Sequence, residues 1–221
     1  MLTFAQPLLI PEAARSFTGF RRFTTSPGFP EHGRIDYLAG QIEVDMSPED
    51  LFTHGAAKAE IATELQVRVT RPGLGSVFVD RARIASGPAQ LSVEPDVVVV
   101  LWETIDAGKV RLVPRKRSAD RYLEIEGGPD VVVEVVSDSS VHKDLERLPP
   151  LYAAAGVPEL WLTDARGPEL RFDILTLTES RYRPVEADED GWLPSPRLGR
   201  AFRLERTLRR PGIWTYRLAS R

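Results

Sequence analysis

The chain has 221 residues, with 29 Lys and Arg against 32 Asp and Glu for a formal charge of −3, and no cysteine. That length supports one domain with a full hydrophobic core. The slightly acidic balance excludes a generic polyanion binder, so any nucleic-acid contact has to come from local basic clusters, and the lack of thiols excludes disulfides and thiolate metal sites.

Residues 1–33 read as an irregular arm with one helical turn near Glu12 to Phe17. Its apolar opening has no basic lead and is broken by Pro7 and Pro11, so neither a signal peptide nor a membrane span is expected, and the protein is placed in the cytoplasm. Arg34 to Ala39 and Gln41 to Met46 alternate apolar and polar residues around Gly40, as a hairpin does. Ser47-Pro48-Glu49-Asp50 predicts a helix capped by Ser47, running to about Val69 and burying Ala57, Ile61 and Leu65. Glu60 and Glu64 then fall on a solvated face, and His54 reads as a surface or capping residue. Strands are expected at Ser76 to Val79, Arg83 to Ser86 and Pro95 to Trp102. A basic connection from Asp106 to Arg121 follows, carrying Arg115, Lys116 and Arg117 as candidate phosphate contacts. Asp130 to Val136 reads as the central strand. A helix starts at Pro149 or Pro150 and stops at Gly156, followed by strands Glu159 to Thr163, Glu169 to Leu177 and Arg181 to Val185. The domain spans 34–196, and 197–221 is an arginine-rich tail. The three histidines lie far apart in sequence, which argues against a zinc site.

Glu134 interrupts Val131-Val-Val-Glu-Val-Val136, a run otherwise suited to a strand buried on both faces. A carboxylate there needs a proton, a cationic partner such as Arg83 or Arg121, or a metal ion. Asp96 heads a second such run, Pro95 to Trp102. If the two strands are neighbours, both acids meet at one sheet edge and can share a hard divalent cation. Taken alone, Asp96 reads as a turn residue after Pro95.

Glu94-Pro95-Asp96, Val133-Glu134-Val135-Val136-Ser137 and Tyr152-Ala-Ala-Ala-Gly156-Val157-Pro158-Glu159-Leu160-Trp161-Leu162 together resemble the Uma-two family of the PD-(D/E)XK nuclease superfamily. The resemblance implies an α/β, restriction endonuclease-like core with a mixed central sheet flanked by helices. It also implies an endonuclease that hydrolyses DNA with Mg²⁺, or Mn²⁺ in its place. Asp96 and Glu134 match the acidic ligands, with the backbone carbonyl of Val135 beside them and Glu60 as an outer ligand. The superfamily lysine falls on Val136 and its displaced family position on Leu148, so Lys143 is the nearest candidate for the catalytic cation. A nuclease fold that binds nucleic acid or a protein partner without cutting is the alternative. A homodimer is an option, because paired cuts suit two-fold symmetry.

Overall fold

The computed structural model describes residues 8–30, 32–115 and 118–221; Lys116 and Arg117 lie outside the described residues. A 3-10 turn at Glu12–Arg15 leads into α1 (Phe17–Thr24), the hairpin β1 (Arg34–Leu38) and β2 (Gln41–Asp45), and a helix in three parts. These parts are a π-helical turn at Leu51–Ala56, α2 (Ala57–Leu65) and a second π-helical turn at Gln66–Thr70. Next come β3 (Gly75–Val79), β4 (Arg83–Ser86), β5 (Leu91–Val93), β6 (Val97–Leu101), α3 (Trp102–Asp106), β7 (Val110–Arg115), β8 (Ser118–Gly127) and β9 (Val131–Val135). A third π-helical turn at Lys143–Arg147 leads into α4 (Leu148–Ala154). The chain closes with β10 (Glu159–Asp164), β11 (Arg171–Thr178), β12 (Arg181–Pro184), β13 (Leu193–Ser195), β14 (Arg200–Arg210) and β15 (Ile213–Ser220).

The strands form three sheets in the orders β2-β1-β5-β4-β8-β7, β12-β11-β10-β9-β6-β3 and β13-β14-β15. The second sheet is central. One of its faces presents Val98, Val100, Val132 and Leu160 to the first sheet and α4. The other presents Val97, Val99, Val131, Val133 and Trp161 to α2 and the third sheet. Continuous apolar runs suit this layer because both faces are covered. Ile61 and Leu65 of α2 are completely buried, each stabilising the fold by roughly 1.5–3 kcal/mol. On the outside of the first sheet, α1 lays Phe17, Phe20 and Phe23 over Ile35 and Tyr37.

Several local expectations shift. The helix begins at Leu51, not after Ser47, because the Asp50 carboxylate accepts from the N–H groups of Phe52 at 2.9 Å and Thr53 at 2.6 Å. The connection 106–121 contains the strand β7 and the start of β8. The segment after 196 is a long β-hairpin anchored by Phe202, Leu204 and Leu218. The hairpin around Gly40 is a tight two-residue turn in which Ala39 and Gly40 both have positive φ, 48° and 92°. Among the described residues, no helix is long and apolar enough to cross a membrane.

Candidate active site

β6 and β9 run antiparallel with Val97 opposite Val133, Val98 opposite Val132 and Val99 opposite Val131. Asp96 immediately precedes Val97 and Glu134 immediately follows Val133, which sets both acids at the same end of this pair, near enough for the Asp96 charge to act on Glu134, and alternation turns Glu134 toward the layer that carries Val132. Each is only 1% exposed. The neighbouring β1 contributes two more polar side chains on alternate positions, Arg34 and Asp36, while its Ile35 and Tyr37 pack on α1.

Asp96 is densely contacted. The Arg34 guanidinium donates to Oδ1 at 3.0 Å, the Val135 N–H donates to Oδ2 at 2.8 Å, His54 Nε2 lies 3.3 Å from Oδ2, and Lys58 Nζ stands 4.0 Å from Oδ1. Burial works against its charge, but His54, Arg34 and the Val135 N–H outweigh that and hold its pKa below the usual carboxylate range. Glu134 has the opposite fate. Burial, with the charges of Asp144 and Asp96, pushes its pKa well above normal despite Lys143 and Arg34. The Tyr152 hydroxyl from α4 donates to Glu134 Oε1 at 2.5 Å.

Lys143 and Asp144 arrive on the third π-helical turn, a wide helical geometry that occurs frequently at functional sites. The Lys143 ammonium is held 3.2 Å from Asp36 Oδ2, and Asp36 Oδ1 accepts the Glu94 N–H at 3.1 Å. Burial, opposed by Lys143 and the Ser140 hydroxyl, leaves the Asp144 pKa pushed up to about 6. One Asp144 oxygen, Oδ1, is buried with no hydrogen-bond partner among the described residues.

His54 sits on the first π-helical turn and is 3% exposed, so it is an interior residue, not a surface cap. Its Nδ1 lies 3.1 Å from Glu49 Oε2 but makes no aligned hydrogen bond. Burial depresses the imidazolium, yet Asp96 and Glu49 more than compensate and raise its pKa. Glu49 also accepts from Lys58 Nζ at 2.9 Å, and that ammonium reaches Asp80 at 2.8 Å. Glu49, His54 and Asp96 each present one donor atom, all within 4.8 Å of one another. A cleft of 460 Å³ lined by Arg34, Glu49, His54, Lys58 and Asp80 opens from this cluster to solvent.

Other expected residues are placed elsewhere. Glu60 accepts the Leu218 N–H at 3.0 Å and Glu64 accepts from Ser220 Oγ at 2.8 Å and Arg68 Nε at 2.7 Å, so both dock β15 on the helix instead of facing solvent or an ion. Arg83 binds Glu94 at 2.6 Å and the Ile35 carbonyl, not Glu134. Val136 and Leu148, the two alternative lysine positions, are fully buried core residues. Arg115 lines a separate 820 Å³ cleft with Arg21 and Arg22. Sequence reading missed Arg34, Asp36, His54, Asp144 and Tyr152; the polar alternation of Arg34 and Asp36 within a strand was the one available signal.

Comparison with known proteins agrees with this architecture. The crystal structure of a putative nuclease belonging to DUF820 from Anabaena variabilis ATCC 29413 superposes with a TM-score of 0.60 and 16% identity, covering 83% of this chain and 90% of that one. No curated protein matches the chain. The Uma2 family model, described as "Putative restriction endonuclease", matches residues 20–209. The mixed α/β fold with buried acids on paired strands therefore belongs to a member of the Uma2 family.

Proposed function

We propose that this protein is a metal-dependent endonuclease that hydrolyses DNA phosphodiester bonds in the cytoplasm. The observation that carries the reading is the placement of two buried acids, Asp96 and Glu134, at the same end of β6 and β9, with the Asp96 contacts Arg34, His54 and Lys58 lining a polar cleft. The donor set fits a hard divalent cation. Asp36, Glu49, Asp80, Asp96, Glu134 and Asp144 outnumber Arg34, Lys58 and Lys143, even with His54 protonated, so the cluster has negative charge to offset. The unpartnered Asp144 Oδ1 is a further sign of that deficit. Asp96 and Glu134 would hold Mg²⁺ or Mn²⁺, with Glu49 and His54 as donors on the cleft side. The Val135 N–H points toward Asp96, and in an extended strand the carbonyl of the same residue faces the same neighbour, which favours Val135 as a backbone ligand.

Bound there, the ion would supply an activated water and polarise the phosphoryl oxygens. The chain's own residues orient the rest. Tyr152 fixes the Glu134 carboxylate through its hydroxyl. Asp36 holds the Lys143 ammonium beside the acids, where a compact positive charge stabilises charge building on the phosphate. Arg34 and Lys58 line the approach from solvent. Arg115 at the end of β7, with Lys116 and Arg117 next to it in sequence, would add phosphate contacts that position the substrate.

A second reading is favoured by one specific observation: Asp96 is already engaged by Arg34, His54 and a backbone N–H. A protein that keeps those contacts in solution would bind nucleic acid without cutting it. Supercoiled plasmid separates the two. Nicking is expected with Mg²⁺ or Mn²⁺ and not with chelator, and Glu134→Ala should abolish it in a folded protein; wild type that retards DNA yet never nicks it supports the second reading.

A further inference from the structure

The C-terminal hairpin contains more charge than its role in the core explains. Its base is buried through Phe202, Leu204 and Leu218, but Thr207 to Gly212 is exposed. From Arg206 to Arg221 the chain carries Arg206, Arg209, Arg210, Arg217 and Arg221 and no acid. The ribbon is braced at Arg206. The Arg206 guanidinium donates to the Ala165 carbonyl at 2.7 Å and the Pro168 carbonyl at 2.7 Å, and stacks on Trp214 with its carbon 4.1 Å from the ring centroid. Beyond that brace the register shifts between Leu208 and Arg210, a bulge of the kind that re-aims side chains.

The direction of the ribbon follows from its contacts with the helix. Ser220 meets Glu64 and Leu218 meets Glu60, so β15 runs parallel to α2. Continuing back along β15 toward its start passes the π-helical turn Leu51–Ala56 that carries His54. The tip at Arg209 to Gly212 therefore lies at the end of the molecule where the cleft opens. A second cleft, sharing Ser47, Glu49, His54 and Ser139 with the first, extends to Arg166, next to the Ala165 and Gly167 carbonyls that hold Arg206.

We infer that the β14–β15 ribbon is a duplex-DNA clamp, with Arg209 and Arg210 at its tip entering a groove while the backbone crosses the cleft over Asp96. This rests on the nuclease reading and names the form of its substrate. The B-DNA major groove is wide enough for a two-stranded ribbon, the tip has the matching charge, and the brace at Arg206 holds the ribbon in place before binding.

The test is the affinity of the full chain for a fluorescent duplex oligonucleotide in chelator, measured across a range of salt. Removing both tip charges in R209A/R210A should weaken binding about tenfold near 0.15 M salt and reduce the salt slope by about 2, since each phosphate contact contributes about 0.9. The control R71A/K109A removes two exposed charges from the opposite end, beyond the second π-helical turn and α3, and should change neither. Equal loss in both variants would mean unspecific attraction and overturn the clamp, as would an unchanged R209A/R210A. Tighter binding of the single-stranded oligonucleotide than of the duplex would also overturn it. Plasmid nicking by wild type separates the levels: nicking with an unaltered R209A/R210A sinks the clamp alone, whereas no nicking and no duplex binding sinks both proposals.

Discussion

The two ends of β9 each carry a buried acid, and the surroundings differ. At the start of the strand, Asp130 accepts the Leu101 N–H at 2.6 Å, Thr104 Oγ1 at 2.6 Å and Arg197 Nε at 2.5 Å. At the other end, Glu134 has Tyr152 as its hydrogen-bond donor, and two further carboxylates crowd it. Both are 1% exposed. An acid whose oxygens are saturated by donors on three elements stitches those elements together. An acid left short of donors, with its pKa driven up by its neighbours, holds unfavourable electrostatic free energy that a cation can relieve. Burial alone therefore does not mark a site; the balance of donors does.

The largest expected effect comes from exchanging charge at the poorly satisfied end. Glu134→Gln should lower plasmid nicking by about 10³-fold, while the fold becomes more stable by about 1 kcal/mol because a buried charge cluster is relieved; nicking assays and urea melts on the same preparation check both halves. Unaltered nicking would remove Glu134 from the chemistry. The complementary change at the saturated end, Asp130→Ala, should destabilise the protein by about 3 kcal/mol by taking the acceptor from the buried Leu101 N–H and Thr104 hydroxyl and one partner from Arg197. Its folded fraction should nick at the wild-type rate, and a nicking defect at full folding would erase the contrast.

A pH titration of stability sharpens the comparison further. Asp144 has a folded pKa of about 6, above its unfolded value near 3.9, so the native state binds more protons in that interval and stability should fall as pH rises from about 4 to 6. Asp144→Asn should flatten that decline, and urea midpoints measured across the window test it. The smallest effect is expected from Tyr152→Phe. Losing one hydroxyl should change stability by about 1 kcal/mol and nicking by less than tenfold, because the phenyl ring still fills its core position. Loss of nicking comparable to that of Glu134→Gln would assign Tyr152 a direct part in the reaction.

Much of the architecture was legible because it follows from local patterns. The runs Val97 to Leu101 and Val131 to Val135 could pair only as covered strands, and the Tyr152 to Leu162 segment announced its helix, turn and strand. The acid pair was legible for the same reason: a carboxylate inside an apolar strand breaks its pattern. The residues that surround the pair were not. Arg34, Asp36, His54 and Asp144 come from three other segments, and each has an ordinary polar neighbourhood in sequence. The π-helical turns that carry His54, Lys143 and Asp144 have no distinctive composition. Glu60 and Glu64 have the spacing of a solvated face, and only the docking of β15 turns them into backbone and hydroxyl acceptors. The terminal hairpin did leave a trace, since Phe202 and Leu204 alternate with Arg203 and Glu205, but the density of arginine obscured the period of two.

The π-helical turn at Leu51–Ala56 spreads one more residue over its circuit than an α-helical turn would use. Deleting a single residue there would swing everything upstream by about 100° about the helix axis and take Glu49 away from Lys58 and His54. The inward face of Ile61 and Leu65 would stay as it is. A shortening by one position can thus dismantle the cluster and leave a well-folded molecule behind.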